Sequence, residues 1–95
     1  MLEKGQDNAL LRYSLGNEYI KEKKFELAIQ HLAKAVEQNP DYSAAWKLYG
    51  KALAENNQIE TAKNAYETGI QVAEKKGDIQ AAKEMKVFLK RLKDS

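Results

Sequence analysis

Between Ser43 and Gly69 the chain reads SAAWKLYGKALAENNQIETAKNAYETG, two helical patterns on either side of a polar break, Glu55-Asn56-Asn57-Gln58. Trp46, Tyr49, Gly50 and Leu53 recur at helical spacing before the break, and Ala62 and Tyr66 after it. Moving back 34 positions sets Gly50 on Gly16, Glu60 on Glu26 and Ala62 on Ala28, and Leu15, Tyr19, Leu32, Ala35 and Pro40 complete an earlier copy. A period of this length constrains a chain more than its composition does. Each copy is one helical unit that cannot bury its apolar face alone and must stack on the next.

Residue size supports the period. Gly16 and Gly50 fall inside helical patterns, where glycine is about 1 kcal/mol less favourable than alanine. A glycine retained there implies a partner helix pressed close. Ala28 and Ala62 are small for the same reason, while Trp46, Tyr49, Leu53 and Tyr66 are large enough to fill the space beside them.

The spacing W-x2-Y-G-x2-L, then A-x3-Y, with a closing proline in the first copy, resembles the tetratricopeptide repeat (TPR). The resemblance implies an all-α fold, a right-handed array of antiparallel helix pairs with five helices. The repeats fall at about 9–42 and 43–76, with a capping helix at about 78–93. Three positions depart from the family pattern. Arg12 stands in place of the tryptophan, Lys23 in place of a turn glycine, and Glu74 in place of the second closing proline, so the fourth helix is expected to run on to Lys76. The last helix, with its Gly77-Asp78 start and Ala82, looks more like the second helix of a repeat than the first, and is expected antiparallel to the fourth.

Local signals place the helix ends. Asp7 or Asn8 caps the first helix and Asp41 or Ser43 the third. Asn39-Pro40 stops the second, because the residue before proline avoids helical geometry. Asn57 suits the left-handed residue that closes the third. Gly77 ends the fourth helix and Asp78 caps the fifth.

Composition bounds the chemistry. The 95 residues form one small domain, with no cysteine and a formal charge of +2. There is no disulfide framework or thiolate metal site, and no apolar run long enough for a membrane. The opening MLEKGQDN carries two acids before any apolar run, which argues against a signal peptide and for a cytoplasmic protein. His31 is the only histidine and reads as a solvated residue on the polar side of the second helix. The glycines form no phosphate loop, and Ser14, Ser43 and Ser95 have no evident base partner. The chain therefore reads as a non-enzyme without metal or cofactor.

By the resemblance, the first helix of each repeat lines a concave groove for a peptide or partner helix. The matching positions are Leu10, Tyr13, Asn17, Ile20 and Lys21, then Ala44, Lys47, Leu48, Lys51 and Glu55. Tyr13, Asn17, Lys21, Lys47 and Lys51 form the candidate site. Tyr13 and Asn17 lie four apart, as do Lys47 and Lys51, so each pair shares a face. An aromatic, an amide and ammonium groups suit an acidic or C-terminal peptide. The carboxylate clamp of chaperone-binding members is not reproduced. Its places hold Tyr13, Asn17, Leu48, Asp78 and Ala82, of which only Asn17 fits.

Two rival readings remain. Residues 75–95 carry net +4 against −2 for residues 1–74, and Lys83, Lys86, Lys90 and Lys93 form a row that could follow phosphates. No aromatic interleaves with that row, which disfavours nucleic acid. Self-association through Leu10, Leu11 and Met85 is the other. The expected state is a monomer or weak homo-oligomer acting as an adaptor.

Overall fold

The computed structural model describes residues 7–94. The reading of MLEKGQDN rests largely on residues 1–6, which lie outside the described residues. Among the described residues the chain is five α-helices and no strand: α1 (Ala9–Lys21), α2 (Phe25–Gln38), α3 (Ser43–Glu55), α4 (Ile59–Lys76) and α5 (Ile79–Lys93).

Asn8 begins α1, its side chain accepting a 2.9 Å bond from the Leu11 amide. The two turns that close α1 and α3 then repeat almost atom for atom. Lys23 and Asn57 both take the left-handed conformation, with φ of 61° and 63°. The Lys24 amide donates to the Tyr19 carbonyl at 2.9 Å, and the Gln58 amide to the Leu53 carbonyl at 2.8 Å. These bonds satisfy carbonyls that the helix ends leave open. Asparagine tolerates this geometry, whereas a lysine there strains against its own Cβ. The third turn uses glycine: Gly77 has φ of 80°, and the Asp78 amide closes on the Ala73 carbonyl at 2.8 Å.

Each helix packs on the next, and α3 lies at the centre. Trp46 packs against residues of α2, α4 and α5, and its indole N–H donates to the Pro40 carbonyl at 2.8 Å. Tyr49 likewise reaches both the α1–α2 and the α4 sides. Close approach is permitted by the expected glycines. A Cβ at Gly16 would stand 2.5 Å from Leu32 Cγ, and one at Gly50 would stand 2.6 Å from Tyr66 Cε1. Gly69 does the same on the far side, where Met85 Sδ would lie 2.5 Å away.

The structure corrects four expectations. Ser43 does not cap α3. It is buried, the cap position is Tyr42 without a side-chain bond, and the Ser43 hydroxyl instead donates to Asp78 Oδ2 at 2.7 Å. His31 is half-buried rather than solvated, stacked 5.4 Å from Tyr19, with Nδ1 3.2 Å from Arg12 Nη1. A guanidinium only donates, so Nδ1 accepts and the ring is neutral. Burial, then the Arg12 charge, hold its pKa below the ordinary value. Arg12 itself, at the tryptophan place, is held by Asp7 at 2.7 Å. Met85 is fully buried and offers no surface for pairing chains.

The last correction concerns α5. It runs antiparallel to α4, as expected: Tyr66 faces Phe88, and Gly69 faces Met85. It also touches α3, just as α3 touches α1. Ser43 meets Asp78, and Lys47 meets Glu84, so α3 and α5 run parallel. That is the place of a first helix, not a second. The reason is the Ala81, Ala82, Met85 and Leu89 stripe, which is the face buried against α4.

Two stability changes test this packing. In an open helix Gly→Ala gains about 1 kcal/mol. Gly50→Ala is instead expected to lose about 1–3 kcal/mol, because the added Cβ would overlap the Tyr66 ring and push it off its packing against Phe88. Thermal melting followed by circular dichroism reads the sign, and a gain would show that the contact is loose. Lys23→Gly should stabilise by about 0.5–1 kcal/mol by relieving the left-handed backbone, with Asn57→Gly near neutral. Equal effects at the two turns would contradict the strain assigned to Lys23.

Candidate functional site

The face shared by α1, α3 and α5 holds the sequence-derived candidates, but the structure does not bring them into one cluster. Tyr13 is half-buried, its ring 5.0 Å from that of Tyr42 and packed against the junctions of α2 and α3. Asn17 is half-buried on the same helix. Lys21 is exposed, with Nζ 3.5 Å from Glu18 one turn back. Leu48 and Ile20 pack on the apolar cluster around Leu32 and so stiffen the face rather than present it.

Lys47 and Lys51, adjacent turns of α3, have different fates. Lys47 Nζ lies 2.7 Å from Glu84 Oε1 of α5, and this contact holds the Glu84 carboxyl below its usual range. Lys51 is exposed and has no ion pair among the described residues.

Lys51 also edges a cavity of about 250 Å³ between α3 and α5. Its walls are Lys51, Ala54 and Glu55 on one side and Phe88, Arg91 and Leu92 on the other, over the buried ring of Tyr66. Tyr66 and Phe88 lie 5.8 Å apart between ring centroids, and the Arg91 guanidinium stands 6.0 Å from the Phe88 centroid. Burial, then Glu55, push the Tyr66 hydroxyl up to about 12, so it stays protonated. Sequence reasoning missed Tyr66, Phe88, Arg91 and Leu92 as site residues. The signal was there in Phe88-x2-Arg91-Leu92, an aromatic, a cation and a leucine within one helical turn. It could be used only once α5 was known to stand in a first-helix place.

The lysine row of α5 is less uniform than it looks in sequence. Lys86 pairs with Glu74 at 2.8 Å, both half-exposed. It borders a wider depression of about 670 Å³ between α4 and α5, lined by Asn64, Glu67, Thr68 and Gln71 beside Ile70 and Leu89. Among the described residues no group of three or more His, Cys, Asp or Glu is placed to hold a metal ion, and no helix is long and apolar enough to cross a membrane.

The tetratricopeptide repeat pattern matches residues 19–85, most of the five-helix array. The chain belongs to the tetratricopeptide repeat family. It is 50% identical over 92 residues to the TPR repeat-containing protein PA0015 of Pseudomonas aeruginosa, covering 97% of this chain and 88% of that protein. Among solved structures it is similar to protein BPP2914 of Bordetella parapertussis, at 42% identity and a TM-score of 0.84, covering 96% of this chain and 79% of the other. A tetratricopeptide repeat domain protein of Salinibacter ruber follows at 26% identity and a TM-score of 0.82, covering 95% and 90%. Five helices fit two TPR repeats plus a capping helix, here a helix in first-helix position. The TPR fold generally mediates protein–protein interaction.

Proposed function

We propose that this TPR chain is a cytoplasmic adaptor whose α1–α3–α5 face takes a peptide or partner helix. The repeats are assigned to 9–42 and 43–76. Tyr13, Asn17, Lys21, Lys47 and Lys51 are its candidate contacts, with an acidic or C-terminal segment as the occupant. The observation that carries this reading is the cavity of about 250 Å³ on that face, with a lysine at its edge that makes no ion pair among the described residues. The family and the relatives' names point to a repeat protein rather than a catalyst.

Affinity capture from a lysate, with Lys51→Glu beside Lys90→Glu, tests the face. Both lysines are exposed, so both variants should fold. Reversing an exposed charge at the contact removes an attraction of under about 1 kcal/mol and adds a repulsion of similar size, roughly a tenfold loss of affinity, and away from the contact it changes little. Lys51→Glu should lose a partner that Lys90→Glu keeps. The reverse pattern, with steep salt dependence, would move the site to the basic row of α5 and a polyanion. Light scattering on the free chain separates a monomeric binder from a self-associating one.

A further inference from the structure

We propose that the cavity between α3 and α5 seats one large apolar side chain of an internal, extended peptide segment, with the carboxylate of an acidic residue two positions away, on the same side of the segment, held by Lys51. The proposal rests on the interaction reading above and specifies its occupant.

Size sets the first limit. Sites for whole small molecules occupy about 300–1,000 Å³, and this cavity, at about 250 Å³, falls below that range. It suits one phenylalanine or leucine side chain. The surroundings agree. Tyr66 and Phe88 offer ring faces, Ala54 and Leu92 supply aliphatic walls, and the Tyr66 hydroxyl remains neutral. Aromatic rings meeting at this separation accept a further ring edge-on or offset.

Charge sets the second limit. Lys47 is committed to Glu84 and Lys21 to Glu18, which leaves Lys51 as the candidate-site lysine without an ion pair among the described residues. Glu55, one turn further along α3, lines the same cavity. A run of acids would meet it as a like charge, so the occupant carries a single carboxylate beside its apolar side chain.

The third limit excludes a chain end. A terminal carboxylate needs several convergent donors, and beside Lys51 and the Arg91 that stands over Phe88 the clamp places of this face add only Asn17. Tyr13 is packed on Tyr42, Leu48 packs inward, Ala82 is buried, and Asp78 is an acid already bonded to Ser43. An internal segment needs only one cation.

The fold explains why the cavity is where it is. The polar ties between α3 and α5 lie in their first halves, Ser43 to Asp78 and Lys47 to Glu84, both at 2.7 Å. The cavity occupies the second half of the two helices, beyond those ties.

The test is a titration of the isotope-labelled chain, followed by nuclear magnetic resonance, with four small peptides. The probe is N-acetyl-Glu-Gly-Phe-Gly-amide, whose Glu and Phe lie on one side of an extended chain. Its controls replace Glu by Gln, or Phe by Ala, and a fourth peptide, N-acetyl-Gly-Gly-Phe, ends in a free carboxylate. The probe should give saturable shifts at the amides of Ala54, Glu55, Phe88 and Leu92, with a dissociation constant on the order of millimolar. The Gln peptide should bind roughly threefold weaker, as fits one exposed ion pair, and the Ala peptide should not bind. Lys51→Gln should erase the Glu–Gln difference while leaving apolar binding. Ala54→Leu should fill the cavity and abolish both, in a chain that circular dichroism shows folded. Equal binding of the Phe and Ala peptides, or shifts centred away from this cavity, would overturn the proposal. Tighter binding of the free-carboxylate peptide would overturn the internal-segment assignment. If all four peptides are silent while Lys51→Glu still loses its captured partner, the cavity assignment fails and the interaction face stands.

Discussion

Everything on the functional side of this molecule depends on how close α3 and α4 come at Gly50. The absence of one methyl group lets the Tyr66 ring occupy the space where a Cβ would be, 2.6 Å from that position. Buried there, the ring turns its other side to Phe88 of α5 and lies beneath the cavity. The same device recurs along the array, with Leu32 over Gly16 and Met85 over Gly69. Interiors are packed too densely to absorb even one added carbon without movement. These glycines therefore fix helix spacing, and helix spacing fixes which side chains reach the shared face.

Polar contacts then set how α5 docks on α3. Asp78 has two roles at once: it accepts from Ser43 Oγ at 2.7 Å and from the Ala81 amide at 3.3 Å, so one carboxylate both ties α5 to α3 and starts the helix. The Ser43 bond, then the Ala81 amide, hold its pKa below the ordinary value. Lys47 and Glu84 add a second tie one turn on. An exposed ion pair contributes little stability. Its consequence here is geometric, because it takes one lysine off the face and leaves the next, Lys51, available.

The repeat, the five helices and most of their ends were legible in the sequence, because they follow from local rules. Asn57 and Gly77 do take the left-handed conformation, and Asn8 and Asp78 do cap. Lys23 shows how far the fold overrides local preference, since it adopts the geometry of Asn57 at a place that favours glycine. The docking of α5 was not legible. α3 begins 34 residues after α1, but α5 begins 36 residues after α3, so the 34-residue period has slipped by two. No glycine marks the close approach of α5 either, because that glycine, Gly69, sits on α4. The candidate site was half legible for the same reason. Lys51 could be found from its own repeat, but Phe88, Arg91 and Leu92 depended on where α5 lies. Ser43 and His31 were misread because their partners, Asp78 and Arg12, are distant in sequence.

The central claim is that Tyr66 occupies the space at Gly50 and from there meets Phe88. Proton magnetic resonance reads it directly. Strong nuclear Overhauser contacts from the Gly50 Hα protons to the Tyr66 ring are expected, with a ring-current displacement of those Hα resonances and weaker contacts between the Tyr66 and Phe88 rings. Gly50 Hα protons at ordinary helical shifts, with no contact to the Tyr66 ring, would contradict it.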